Sequence, residues 1–221
     1  MYSKFDVSMQ LKYQTFDHTN FHQICDELAQ QDSDFRRIIE QYGYPPLWNR
    51  KPSFATLIHI ILEQQVSLAS AKAAFLKLQE KIGHITAEKL LQLTDEELRA
   101  CYFSRQKTIY ARSLAIAVIN KEIVIEELHL LADDEIRMSL KKIKGIGDWT
   151  ADVFLMMVLN RCDFFAPGDI ALMKSIREIK QLTSEVHRDE LIALTEKWKP
   201  YRTVASYLLW HAYLSKRNIS Q

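Results

Sequence analysis

Apolar residues in this chain recur mostly at three- and four-residue intervals and rarely alternate, so the pattern predicts an all-α protein. The spacing predicts short helices over residues 21–30 and 33–42, closed by Gly43 and the Pro45-Pro46 pair. Ser53 is placed to cap a long apolar helix through Ile58, Ile61, Leu62 and Leu68, with Glu63, Gln64, Gln65 and Ser67 as a polar interruption. Further helices are expected over residues 69–81, ending near Gly83, and over 86–91, 94–100, 104–119, 126–131 and 133–142. Residues 148–160 are apolar nearly all round, which predicts a buried central helix. Residues 169–179 read as amphipathic, with Ile170, Met173, Ile176 and Ile179 inward and Lys174, Arg177 and Lys180 outward. Pro200 suits the start of a last long helix over 201–216, with Val204, Leu208, His211 and Leu214 at core spacing.

Composition sharpens this picture. With 221 residues the chain can bury a full core, and only five glycines and five prolines agree with a helical protein. The longest apolar run, residues 153–159, is too short to cross a bilayer, and the first ten residues lack an apolar signal region. A soluble, cytoplasmic protein is expected, nucleoid-associated if bacterial. Cys25, Cys101 and Cys162 lie far apart, which offers neither a zinc nor a clustered iron–sulfur pattern and predicts reduced, buried thiols. The net charge of +1 is unevenly divided: residues 136–221 carry 14 Lys and Arg against 9 Asp and Glu, residues 1–135 carry 15 against 19. A basic carboxyl-terminal part of +5 beside an acidic remainder of −4 fits a protein that meets DNA on one side, as it fits an ordinary solvated surface.

The chemistry concentrates in residues 140–180, which hold three of the five glycines, Gly145, Gly147 and Gly168. Glycine at both ends of a G-I-G tripeptide permits positive φ and close approach of another molecule, while the helix starting at Asp148 points its first N–H groups outward. That is an anion cradle. With Lys141, Lys142 and Lys144 beside it, the natural anion is a phosphate. Asp169 follows the Pro167-Gly168 turn at the start of the next helix, where an aspartate also serves as an ordinary N-cap.

Hairpin, buried helix, loop and capped aspartate together resemble the helix-hairpin-helix DNA glycosylase superfamily, most strongly its alkylated-base (3-methyladenine) branch. The segments ILEQQVSLASA (61–71), SRQKTIYARSLA (104–115) and EKWKPYRTVASYLLWHAY (196–213) extend the resemblance over about residues 50–215. It implies hydrolytic excision of alkylated bases, of the 3-methyladenine and 7-methylguanine type, from duplex DNA. It also implies Asp169 as the essential carboxylate, stabilising oxocarbenium character at C1′ of the sugar or orienting the attacking water. Trp149 stands where the lyase-competent branch carries a lysine, which implies a monofunctional enzyme that forms no Schiff base. The absence of a carboxyl-terminal cysteine cluster separates the chain from the endonuclease III branch. Trp149 and Trp210 match the base pocket, where an aromatic face attracts cationic N-alkylated purines; core packing is the competing reading of each. Trp198 reads as structural, and Val153 stands where some relatives carry another pocket aromatic.

The resemblance further places Gln65 as the wedge that fills the gap left by a flipped nucleotide, against a solvated helix-end glutamine as the plain alternative. Gln64 and Ser67 are weaker candidates for the same DNA-facing strip. The backbone N–H groups of Gly145, Gly147 and Asp148, with Lys144, are the implied phosphate donors. Related hairpins hold a monovalent cation on carbonyls, here Lys141, Ile143 and Gly145, so a structural Na+ or K+ is implied and no catalytic metal. Lys107, Lys174 and Arg202 are further candidate phosphate contacts, although a solvated charge is the better default reading of any one of them. Two lobes are expected with the active cleft between them: one of about residues 52–160, the other of 1–51 with 161–221. The chain is expected to act as a single catalytic unit and a monomer, on double-stranded DNA containing alkylated bases. Alternatives are a glycosylase for mismatched or oxidised bases, a non-enzymatic helix-hairpin-helix DNA-binding module, and a purely structural helical protein.

Overall fold

A computed structural model of the chain describes residues 14–217, and among these twelve α-helices carry the fold. They are α1 (Phe21–Gln31), α2 (Ser33–Tyr42), α3 (Phe54–Glu63), α4 (Leu68–Ile82), α5 (Ala87–Gln92), α6 (Asp95–Ala100), α7 (Arg105–Ile119), α8 (Asp133–Lys141), α9 (Asp148–Met157), α10 (Ile170–Ile179), α11 (Arg188–Leu194) and α12 (Arg202–Lys216). Two short 3-10 turns join them, Ile125–Leu130 and Thr195–Trp198, and the one strand-like pairing among the described residues is an isolated bridge between Thr15 and Arg161. Helices α2 to α7 each start on an Asp, Ser or Thr whose side-chain oxygen accepts a backbone N–H of the first turn. These caps satisfy donors that the helix itself leaves without partners.

The chain divides into two units. One holds Trp48–Leu159 with Ala166–Ile170. Its centre is α3, where Leu57, Ile58, Ile60, Ile61 and Leu62 are all buried, packed against α4, α7 and α9. Helix α9 is as deeply placed, with every residue from Thr150 to Met156 buried. The other unit holds the described residues up to Leu47, Asn160–Phe165 and Ala171–Lys216, with α1, α2 and α12 packed together. Helix α12 is buried continuously from Thr203 to Trp210, and its polar members are satisfied: Thr203 Oγ1 accepts from Phe164 N (2.9 Å), and Ser206 Oγ donates to Arg202 O (2.8 Å).

Several elements depart from the sequence pattern. The long helix expected from Ser53 through Leu68 is two helices, because the polar interruption is a turn: Gln64 leaves the helix at ψ 122° and Gln65 adopts φ +58°. Ser67 then caps α4, its Oγ accepting from Ser70 N at 3.2 Å, and the residue stays exposed. Helix α9 stops at Met157, short of the expected Asn160. In α10 the buried side is Leu172, Ser175 and Ile176, while Ile170 is 67% exposed; the inward face is rotated from the one that hydrophobicity alone suggests. Helix α11 is an addition, since residues 188–194 carry no strong apolar period. Residues 166–170, placed on sequence with the chain-end lobe, cluster with the unit that carries the hairpin.

Hairpin α8–α9 is seated from below. Gly145 has φ +97°, and a Cβ added there would overlap the Tyr110 ring of α7, so the ring lies against the bare glycine backbone. Gly147 differs, with φ −104° and open space where a Cβ would stand. The positive φ expected at both glycines occurs at Gly145 alone. From α8, Arg137 reaches Asp148 (2.9 Å) and also pairs with Asp152, a carboxylate buried inside α9.

In the other unit, buried Asp32 gathers Lys180 Nζ (2.8 Å), Lys197 Nζ (2.9 Å), Trp198 Nε1 (3.0 Å) and the Asp34 N–H (3.1 Å). Burial alone would raise its pKa, but the Lys180, Trp198, Lys197 and Asp34 donors prevail and hold the carboxyl well below the usual range. A depressed folded-state pKa contributes stability above the unfolded value and loses it as pH falls toward the folded one. Asp32→Asn is therefore expected to destabilise the protein by about 3 kcal/mol near neutral pH, with the gap to the wild type closing below about pH 4, read by denaturant melts across pH. At the hairpin, Gly145→Ala is expected to cost about 2–4 kcal/mol, because both φ and the Tyr110 ring forbid a Cβ. Gly147→Ala should change stability by less than about 1 kcal/mol in the same melts.

Candidate active site

Trp149 sits in the first turn of α9 and Asp169 immediately before α10, and the structure joins them. The indole Nε1–H donates to Asp169 Oδ2 at 3.1 Å, with both residues half-buried. The intervening Pro167-Gly168 turn lies on the tryptophan: a Cβ at Gly168 would stand 3.4 Å from Trp149 Cβ. Asp169 N donates to Ala166 O (2.9 Å), which closes the turn and fixes the backbone that carries the carboxylate. The result is one carboxylate whose side chain is oriented by a buried helix through a donor that never titrates.

Next to this pair lies the hairpin. Gly147 is exposed, with open space on its Cα, and the first N–H groups of α9 have no partners within the helix. Lys144 is exposed and reaches the surface as expected. Lys141, however, is paired with Asp148 at 2.5 Å, and Arg137 shares that carboxylate. The Lys141 hydrogen bond, followed by the charges of Lys141 and Arg137, lowers the Asp148 pKa. The positive charge at the hairpin is thus partly neutralised inside the hairpin, which leaves backbone N–H groups, Lys142 and Lys144 as its outward donors.

The expected carbonyl set for a monovalent cation is only partly open. Ile143 O accepts from Ile146 N (3.0 Å), and Gly145 O accepts from Gln64 Nε2 (2.9 Å). Each oxygen keeps a second lone pair, so Lys141, Ile143 and Gly145 retain hard, neutral oxygen donors of the kind that Na+ or K+ takes.

Gln65 is exposed at the apex of the α3–α4 turn, in a left-handed conformation that a non-glycine residue rarely adopts. Gln64 is not part of an outward strip: its amide turns inward to Gly145 O and Thr150 Oγ1, both at 2.9 Å. Lys107 is likewise internal, donating from Nζ to Leu62 O, and burial lowers its pKa. Arg202 is held by Asp163 (2.7 Å) and Glu196 (3.0 Å), which leaves Lys174 as the exposed member of the three extra phosphate candidates. Trp210 belongs to the chain-end unit, buried on α12 and set edge-on to Tyr207 with centroids 5.9 Å apart. Trp198 is buried against Phe35 and bonded to Asp32, a structural role. Val153 is buried within α9. Tyr110, Arg137 and the inward role of Gln64 have no signature in the sequence, since nothing in local pattern marks a ring that seats a glycine 35 positions away.

Comparison with known proteins agrees with this architecture. The profile described as HhH-GPD superfamily base excision DNA repair protein matches residues 58–200. A putative DNA-3-methyladenine glycosylase of Bacillus subtilis is 28% identical over 187 residues, covering 79% of this chain and 64% of that protein. An alkylbase DNA glycosidase-like protein of Schizosaccharomyces pombe is 32% identical over 126 residues, covering 57% of this chain and 59% of that protein. The chain therefore spans less than two thirds of the length of each of these relatives. Among solved structures, the S. pombe 3-methyladenine DNA glycosylase in complex with abasic DNA superposes with a TM-score of 0.79 at 28% identity, covering 85% of this chain and 95% of that one. Helical architecture, hairpin and matched profile lead to one conclusion: this chain belongs to the HhH-GPD superfamily of base excision DNA repair proteins.

Proposed function

We propose that the protein is a monofunctional DNA glycosylase that hydrolyses the N-glycosidic bond of alkylated bases in duplex DNA. The observation that carries this reading is the Trp149 Nε1–H to Asp169 Oδ2 hydrogen bond at 3.1 Å, which fixes a single carboxylate beside the hairpin. A preorganised negative charge near C1′ stabilises the oxocarbenium-like sugar as the base departs, without reorganisation at the moment of reaction. The base leaves with its bonding electron pair, and water then adds to C1′ and gives up a proton to the Asp169 carboxylate or to solvent. N-alkylated purines suit so spare a site, because the positive charge on the base already weakens the bond and little acid catalysis is required. The relatives named for 3-methyladenine and alkylbase excision support that substrate class.

The remaining parts serve access. Backbone N–H groups at Gly147 and Asp148, with Lys144, take a backbone phosphate at the helix N-terminus. Carbonyls of Lys141, Ile143 and Gly145 would hold a Na+ or K+, whose charge would strengthen the same phosphate contact. Gln65, at the exposed turn, enters the stack when the lesion is flipped out. Trp149 cannot attack C1′ as a lysine amine would, so the product is an intact abasic site.

Two measurements check this. Asp169→Asn should retain folding and duplex binding while losing at least about a hundredfold in single-turnover release of free base from methylated DNA, the scale expected on removing a charge-stabilising group; full activity in that variant would remove Asp169 from the chemistry. Borohydride added during turnover should trap no covalent protein–DNA species. Release of oxidised or mismatched bases in preference to alkylated ones, in a panel of defined-lesion duplexes, would replace the substrate class and leave the carboxylate's role in place.

A further inference from the structure

The turn that carries Gln65 and the hairpin that carries Gly145 and Gly147 come from distant parts of the chain, and one side chain spans them. Gln64 closes the last turn of α3, and its Nε2 donates to Gly145 O and to Thr150 Oγ1, both at 2.9 Å. A primary amide has two N–H donors, and both are used here. Its orientation is not ambiguous, since the Gly145 carbonyl can only accept and must face the nitrogen. The same turn is fastened from another side by Lys107, whose Nζ caps Leu62 O at the carboxyl end of α3. The hairpin end of the link is fixed as well, with the Tyr110 ring under Gly145 and Thr150 buried in α9. Gln65, the next residue along, has a rarely populated backbone conformation that neighbouring contacts must maintain.

We propose that Gln64 is a positioning residue that ties the Gln65 turn to the hairpin, so that wedge and phosphate anchor act as one rigid device during base flipping. This rests on the glycosylase reading and deepens it. Extruding a nucleotide requires unstacking work of about a few kcal/mol, which the protein supplies by gripping the strand at one point and pushing at another. Force is transmitted between those points only if the connection between them is stiff. Bonds from Gln64 to the hairpin loop and to α9 supply that stiffness while the Gln64 amide itself faces the protein. The consequence is specific: loss of Gln64 impairs the step that needs unstacking and spares both the phosphate grip and the bond cleavage that follows.

The test compares single-turnover base release from two methylated substrates, one with the lesion in an ordinary duplex and one with the same lesion opposite an abasic site, where little stacking remains to be broken. Gln64→Leu should slow release from the ordinary duplex by about tenfold or more, the size of two lost hydrogen bonds, and change release from the unstacked substrate by less than about twofold. Affinity for undamaged duplex should stay within about twofold of the wild type, since the phosphate donors are untouched. Gln64→Glu, which keeps the shape but has no N–H, should reproduce the duplex-selective loss, and Thr150→Val should give a smaller loss in the same direction. If Gln64→Leu does not fold, the same rate ratio in Gln64→Glu and Thr150→Val decides. An equal loss on both substrates, or none on either, overturns the proposal while the wild type still releases base; a wild type that releases no base from any alkylated substrate overturns the glycosylase reading itself.

Discussion

Contact between the Tyr110 ring and the bare backbone of Gly145 is the constraint on which the site depends. Any side chain at that position would collide with the ring, so the hairpin can lie this low on α7 only with glycine at its tip. The depth of the hairpin sets where α9 begins. That start places Trp149 in the first turn, and Trp149 in turn directs Asp169 through its indole N–H. A chain of contacts thus runs from a packing detail to the carboxylate, each link made by a rigid group: an aromatic ring, a positive-φ glycine, an indole and a short turn.

Charge in this region is divided between holding the hairpin together and facing a ligand. Asp148 and buried Asp152 draw in Arg137 and Lys141, so part of the basic flank fastens α8 to α9. What remains outward is a set of peptide dipoles with two lysines, Lys142 and Lys144. Such a surface suits a backbone phosphate, whose recognition needs register and modest charge more than base-specific contacts. Arg202 and Lys107 illustrate the same division away from the hairpin, since each basic side chain is engaged by an internal acceptor.

Much of the architecture is legible in the chain. Caps at Ser53, Thr86, Thr94 and Ser104 announce helix starts that the structure keeps, because a cap hydrogen bond is made within four residues and needs no distant partner. The buried character of α9 is equally plain from composition alone. Less legible is the polar run between α3 and α4, which reads as an interruption but folds as a turn with one glutamine outward and one inward. Adjacent glutamines have the same local signature, and only the Gly145 and Thr150 acceptors, some eighty positions away, distinguish them. The buried face of α10 is legible only in part for a related reason: Ile176 is core as its spacing predicts and Ile170 looks like core by hydropathy, but packing partners leave Ile170 outside and select Leu172 and Ser175.

By itself the sequence determined that this protein is helical, where most helices begin, and that an aspartate follows a G-I-G hairpin at the spacing of the HhH-GPD superfamily. Those properties follow from interactions between near neighbours along the chain, which hydrophobic period and capping chemistry record directly. Tertiary structure alone decided which glycine is seated on a ring, which glutamine faces the hairpin, which lysines turn inward, and that the tryptophan nitrogen meets the aspartate. Each of those outcomes depends on a partner well outside the local segment, and local sequence carries no signal of a contact whose other half it does not contain.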